Sequence, residues 1–321
     1  MRKHPFRRTQ RGLGLIELMI ALVITLLLGM AVGGVFVVAK RGFADAEDFA
    51  RIQSNGRYAL YNLVHDLQLV GFWGDIFAGD IVPSPNLDAV STDCSNAAAA
   101  LDTSFSLFAL RLGSTSNAVS CISDAAHDSD VLVVKHVEGL PIVAGSTLDA
   151  NRRYLMTNLV TAQLFDGGDT PPTTTVGGDV PGGRIWAYDV YVYYVRQNGT
   201  DKRLYRKTLQ NSGGSWEMVS EEVAAGIETM RFVFGVDSDG NGDVDRYVSP
   251  TTLSSVADWE TVMTVQVYLL VRGIEDKTHT DARTYTMGDV TAGPFNDNYH
   301  RSLMTSTVNL RNPGLLSRGN W

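Results

Sequence analysis

Arg11-Gly12-Leu13-Gly14-Leu15-Ile16-Glu17-Leu18-Met19-Ile20-Ala21-Leu22 opens an apolar run that continues to Ala39. Across the 27 residues from Leu13 to Ala39 the only ionisable side chain is Glu17. As a helix this run is about 40 Å long, enough to cross a bilayer core with some tilt. Ahead of it, residues 1–12 hold five bases (Arg2, Lys3, Arg7, Arg8 and Arg11) and no acid. Bases before the span place the N-terminus in the cytoplasm and the bulk of the chain outside. The whole chain has 321 residues and a net charge of −8; without the five bases, 22 bases stand against 35 acids, or −13. So acidic a chain offers no footprint for phosphates, and nucleic acid is not an expected partner, whereas the lipid bilayer is.

A secretory signal has a shorter apolar stretch, of about 7–15 residues, and a small-residue cleavage site after it; neither is present. A carboxylate inside the bilayer costs about 2.5–3.5 kcal/mol, so Glu17, five residues after Gly12, calls for a charge partner. A plain signal anchor does not account for it.

The junction resembles the class III signal of type IV prepilins and type II secretion pseudopilins. The resemblance implies that a prepilin peptidase cuts between Gly12 and Leu13, that the new N-terminus at Leu13 is methylated, and that Glu17 meets the free amine of a neighbouring subunit during assembly. Leu13 stands where Phe is commonest in that family, and Gly14 where Thr is common.

Beyond the span, Phe43, Phe49, Ile52, Leu60, Leu63, Leu67 and Val70 form an amphipathic stripe, with Gly71 as a C-cap position. An unbroken helix from Leu13 to Val70 would be about 85 Å long. Gly29, Gly33 and Gly34 each lower its propensity by about 1 kcal/mol relative to Ala. They read equally as close-packing positions between spans or as a point where the helix loosens on assembly. Past Gly74 the pattern turns to β structure: Asp130–His136 as a strand, Arg153–Met156 as the start of another, and Tyr188–Val195 joined through Asn198-Gly199 to Arg203–Lys207 as a hairpin. Ile227–Val236, Val262–Val271 and Thr305–Arg311 give three more strands, while residues 80–128 and 167–183 read as loops. The organisation is therefore a leader (1–12), a transmembrane half-helix (13–39), an amphipathic half-helix (40–74) and a globular head (75–321). The fold class is α+β, a long N-terminal helix packed on an antiparallel β-sheet head.

Several head segments are similar to those of the PilW family of minor pilins. These are Asp66–Gly74, Asp130–Val134, the acidic loop after Phe234-Gly235-Val236, Val265–Arg272 and Thr307–Asn312. They occur in family order. A cysteine often follows the Gly of the helix-end segment in that family, but Asp75 stands here.

Two constellations bear on chemistry. In Asp237-Ser238-Asp239-Gly240-Asn241-Gly242-Asp243-Val244-Asp245, oxygens at alternate positions and Gly at the sixth match the first half of a calcium loop. Asp237, Asp239, Asn241, the Asp243 carbonyl and Asp245 would be ligands. Val248 occupies the twelfth place, which a bidentate Glu fills in an EF-hand, and an acidic β-turn without metal is the equal alternative. Cys94 and Cys121, placed outside the cytoplasm, read as a disulfide rather than a redox or metal pair. Closing that loop contributes roughly 3–4 kcal/mol by chain entropy. His4, His65, His127, His136, His279 and His300 show no metal-binding spacing, and no nucleophile or acid-base arrangement emerges, so an enzyme is not expected. Tyr188, Tyr191, Tyr193 and Tyr194 read as sheet residues.

Together these readings imply a PilW-like minor pilin that takes part in priming pilus assembly and sits at or near the tip, where a large head is easier to accommodate than in a helical lattice. Its implied partners are other minor pilins, the major pilin, the prepilin peptidase, the inner-membrane assembly platform and an adhesin at the tip. A minor pseudopilin of type II secretion and a membrane-anchored receptor or adhesin are the alternatives.

Overall fold

The computed structural model describes residues 14–76, 81–113 and 119–312. The chain divides into two compact units, residues 1–50 and 51–321, and helix α1 (Leu15–Leu69) runs through 55 residues without a break. In the first unit, residues 14–47 are all exposed, and the helix is long and apolar enough to cross a membrane. Phe43 and Phe49 are exposed, so the buried apolar stripe of α1 begins only at Ile52. Geometry explains Phe43: nine residues from Ile52 at about 100° per residue is about 180°, the opposite side of the helix.

Within the second unit the buried face of α1 is Ile52, Ala59, Leu63 and Leu67, followed by Val70, spaced at three, four or seven residues. Leu60, turned about 80° from Ile52, is only half-buried, and Ala59 takes the central place. Gly56 permits a close approach of the sheet to the helix: a Cβ there would overlap the Met304 sulfur. The helix ends as expected, with Gly71 at φ +68°, and the Asn312 side chain donates to the Val70 carbonyl at 2.9 Å.

Strands β1 (Ile81–Pro83), β2 (Leu107–Arg111), β3 (Asp130–Val137), β4 (Arg153–Thr157), β5 (Ala162–Asp166), β6 (Arg184–Asn198), β7 (Asp201–Ser212) and β8 (Ser215–Ala225) form one sheet. Its order is β1-β5-β4-β6-β3-β2, with β7 paired to β6 and β8 to β7; only β1 and β5 run parallel. The second sheet contains β9 (Ile227–Val236), β10 (Arg246–Val248), β11 (Val262–Glu275) and β14 (Tyr299–Asn309), antiparallel in the order β10-β9-β11-β14. A small hairpin, β12 (Tyr285–Met287) and β13 (Val290–Ala292), covers Leu270 and Leu303. A short helix, α2 (Val256–Glu260), is closed by a capping box between Ser255 and Asp258.

One core lies between α1 and both sheets, joining Leu63 and Leu67 to Leu132, Tyr193, Phe232 and Val267. The other face of the eight-stranded sheet is buried under Trp73, Cys94, Ala98, Ala100 and Ile122. Burial on both faces is why β3 reads as a continuous apolar run rather than an alternating one. Residues 80–128 are thus mostly loop, as the composition indicates, but they also supply β1 and β2 and roof this second core. The hairpin expected at Asn198-Gly199 forms one residue later. Asn198 pairs with Asp201, so Gly199 (φ +60°) and Thr200 are the two loop residues.

Candidate functional site

The first site is the N-terminal end of α1. Gly12 and Leu13, where the resemblance implies cleavage and methylation, lie outside the described residues. Glu17 stands in the first turn of α1, and its carboxylate accepts the Gly14 N–H at 3.1 Å. Thr25 likewise turns its hydroxyl inward, donating to the Ala21 carbonyl at 2.7 Å. The run therefore presents an aliphatic surface broken by one carboxylate.

The second site is the loop between β9 and β10. Asp237 is buried at its entrance and accepts the Gly240 N–H at 2.8 Å and the Gly242 N–H at 2.7 Å. These donors, that of Gly242 foremost, hold its carboxyl below the usual carboxylate range. Asp239 accepts the Asn241 N–H at 3.1 Å, the Asn241 side-chain oxygen accepts the Asp243 N–H at 2.8 Å, and Asp245 accepts the Ser238 N–H at 2.7 Å. Gly240 and Gly242 adopt φ +77° and +90°, which turn their N–H groups inward. The result brings one carboxylate oxygen each from Asp237, Asp239 and Asp245 within 4.8 Å of one another. The Asp243 carboxylate is not in that group. Both sequence readings are visible here, because backbone N–H groups close the turn while three carboxylates converge as oxygen ligands would.

Cys94 and Cys121 are bonded to each other. Their loop is fastened further by Lys135, a fully buried lysine in the middle of β3. Its ammonium donates to the Ala97 carbonyl at 2.9 Å and to the Asp102 carbonyl, and burial pulls its pKa down to about 8. The only sequence signal for this anchor is a lysine that follows an unbroken apolar run, Val131–Val134, inside a strand.

Three further polar anchors were not legible from spacing. Asp130, at the start of β3, accepts Arg231 at 2.6 Å and the Phe232 N–H at 3.0 Å, tying one sheet to the other. Asp66 of α1 accepts the Tyr193 hydroxyl at 2.6 Å, and burial raises its carboxyl pKa despite that bond. Around Arg301, the guanidinium meets Glu228 at 3.1 Å, Asp297 at 2.7 Å and Asp281 at 3.2 Å, and lies 3.9 Å over the Phe295 ring. Of the described histidines, His136 is buried against Tyr191, His65 stacks on Tyr61, and His279 and His300 stack at 3.8 Å.

Residues 7–39 match the family model of the prokaryotic N-terminal methylation motif, and residues 192–312 match that of type IV pilus-assembly protein W. Together the two matches support a type IV pilus minor pilin of the PilW family. The first match spans Gly12 and Glu17 together; the second takes in β7 to β14, including the acidic loop and the closing Thr307–Asn312. The similar segments Asp66–Gly74 and Asp130–Val134 fall before the second match. No curated protein and no solved structure matches the chain. A type IV minor pilin of this kind is a structural pilus component that associates with other pilins and with the assembly machinery, and the apolar helix here is of membrane-anchoring length.

Proposed function

We propose that this PilW-family chain is held in the inner membrane with its N-terminus in the cytoplasm, cut between Gly12 and Leu13, methylated on Leu13, and used to prime pilus assembly at or near the tip. The observation that carries the reading is Glu17: a lone carboxylate in a 27-residue apolar run, inside the matched methylation motif. In a bundle of such helices its charge is compensated by the amine that cleavage frees on a neighbour, an interaction strengthened by the low dielectric of the bundle. The large head favours a tip position, because bulk is hardest to repeat along a lattice. Its proposed partners are the other minor pilins, the major pilin, the assembly platform and a tip adhesin.

The test is deletion of the chain, with Gly12→Ala and Glu17→Val in parallel, scored for surface pili and twitching. Each strain is expected to lose most pili, and Gly12→Ala to accumulate the uncut precursor. Normal piliation in all three overturns the proposal. Recovery of secretion-system rather than pilus components with the tagged chain would assign it to a pseudopilus.

For the acidic loop we propose a structural Ca²⁺, held by Asp237, Asp239 and Asp245, with Asn241 and the Asp243 carbonyl completing the set. It would stiffen the link between β9 and β10 rather than take part in a reaction.

A further inference from the structure

The edges of the two sheets are not protected alike. β1 and β10 have three residues each, and β1 ends on Pro83. β2 ends on Arg111, which is paired to Asp130 and Asp289. β8 carries Glu217, Glu221 and Glu222, and the neighbouring segment lies along it: the Ser91 N–H donates to the Trp216 carbonyl at 2.8 Å, and the Met218 N–H to the Thr92 hydroxyl at 3.0 Å. Short length, proline, charge and a covering segment are the usual means of blunting an edge. From Ser302 on, β14 uses none of them among the described residues. It has eleven residues and pairs with β11 alone among the described strands. From Ser302 to Asn309 it contains no charge and no proline, and its only register irregularity lies before that stretch.

Two hydrogen bonds fix which peptide groups of β14 face outward. The Leu310 N–H donates to the Met263 carbonyl and the Arg272 N–H to the Gly226 carbonyl, both at 2.8 Å. Odd-numbered residues of β11 therefore face β14, and even-numbered ones face β9. Through the register Val265↔Val308, Val267↔Ser306, Leu269↔Met304 and Val271↔Ser302, these four β14 residues close the internal ladder. The N–H and C=O groups of Leu303, Thr305, Thr307 and Asn309 point away from the sheet. At the start of the strand the outward Arg301 carbonyl is taken by the Arg283 guanidinium at 3.2 Å. Beyond it, no group among the described residues is hydrogen-bonded to the four outward peptides. On one face of the strand Met304 and Val308 join the core under α1; on the other Thr305, Thr307 and Asn309 are exposed.

We propose that β14 is a docking strand that takes an uncharged extended segment of another pilin subunit as the fifth strand of this sheet. The reading deepens the pilus assignment and rests on it. A row of alternating N–H and C=O groups is matched by another extended backbone, and the absence of charge over eight residues removes both the repulsion that guards an edge and the attraction that would select an ionic ligand. The incoming strand would set apolar side chains beside Met304 and Val308 and small polar ones beside Thr305 and Thr307.

Proline separates the two roles of the strand. Thr305→Pro and Thr307→Pro delete only outward N–H groups, which a strand edge tolerates, whereas Ser306→Pro deletes a ladder donor and should unfold the sheet. In the full-length chain in its own membrane, the two outward variants are expected to accumulate at the wild-type level with an unchanged melting temperature, yet to lower surface pili at least tenfold. A photoreactive residue at Thr307 should cross-link to another pilin, and Thr305→Pro should abolish the product. If the proline variants fail to fold, the cross-link alone decides. Cross-linking within one chain, to a second copy of this chain, or to nothing would overturn the docking strand, as would normal piliation of well-folded outward variants. Glu17→Val runs alongside: its failure to assemble while the β14 variants assemble refutes docking alone, and normal assembly of both refutes the pilus reading itself.

Discussion

Two gatherings of carboxylates flank the four-stranded sheet, and they are neutralised in different ways. Around Arg301, the acids Glu228, Asp281 and Asp297 are supplied with a guanidinium from inside the fold, and Arg272 and Arg283 stand at its margin, 3.8 Å from Glu228 and 3.2 Å from Asp281. In the Asp237–Asp245 loop the acids are within reach of one another but form no ion pair among the described residues, and only neutral donors face them: backbone N–H groups and the Asn241 side-chain amide, 3.1 Å from Asp239. The first cluster is complete as it stands. The second has oxygen ligands in place and no positive charge, which is the condition under which a divalent cation gains most.

The largest effect should come from breaking the complete cluster. Among the described residues Arg301 is the one cation in contact with all three acids; Arg301→Met leaves the buried Glu228 and Asp281 with only the marginal Arg272 and Arg283, so full-length protein in detergent should lose about 3–5 kcal/mol in urea unfolding. A loss below 1 kcal/mol would mean that the cluster is solvated after all. Breaking the loop should cost less: Asp237→Ala frees the Gly240 and Gly242 donors, for about 1–2 kcal/mol.

Calcium sharpens the contrast further. At 5 mM Ca²⁺, and with an affinity in the range of about 10⁻⁴–10⁻³ M usual for extracellular modules, the gain is about 1–2 kcal/mol, a rise of a few degrees in Tm. Asp239→Asn should abolish the rise and Arg301→Met should keep it. Asp243→Asn should also keep it, because that carboxylate lies outside the convergent group. An unchanged Tm in wild-type protein at 5 mM Ca²⁺ would leave the loop as a metal-free turn.

The smallest expected difference is in acid. Asp297 is held below its ordinary pKa of 3.8 by its bonds to Arg301, and Asp237 by the Gly242 and Gly240 N–H groups. A depressed folded-state pKa contributes stability above pH 3.8 that is lost as the pH falls through the folded value. Tm measured from pH 5 down to pH 2 should therefore fall in wild type, with a shallower fall in Arg301→Met and in Asp237→Asn. A steeper fall in either variant would contradict the assignment.

What could be read in advance differs between these regions for a physical reason. The apolar span, its single carboxylate, the C-cap at Gly71, the hairpin after Tyr188–Val195 and the turn chemistry of Asp237–Asp245 are all local, set by periodicity or by residues within ten positions of each other. β8 carries no readable strand signal because Glu217, Glu221 and Glu222 interrupt its apolar pattern; Glu222 pairs with Arg203, and Glu221 with Arg206 and Gln210, across a sheet that sequence alone does not show. β14 begins at Tyr299 rather than Thr305 because Arg301, a charge that reads as a strand end, is sunk in its acidic cluster. Lys135 was equally out of reach as an anchor, since its partners are carbonyls 33 and 38 residues away.

The sequence by itself determined the apolar helix of membrane-spanning length, the methylation motif, the isolated Glu17 and the α+β class, because hydropathy and turn preference act between near neighbours. Only the tertiary structure decided that Asp130 joins the two sheets, that Arg301 gathers its acids from three separate segments, and that Leu303, Thr305, Thr307 and Asn309 face outward. Strand register is a property of pairing: moving it by one residue exchanges inward and outward groups while leaving the sequence unchanged.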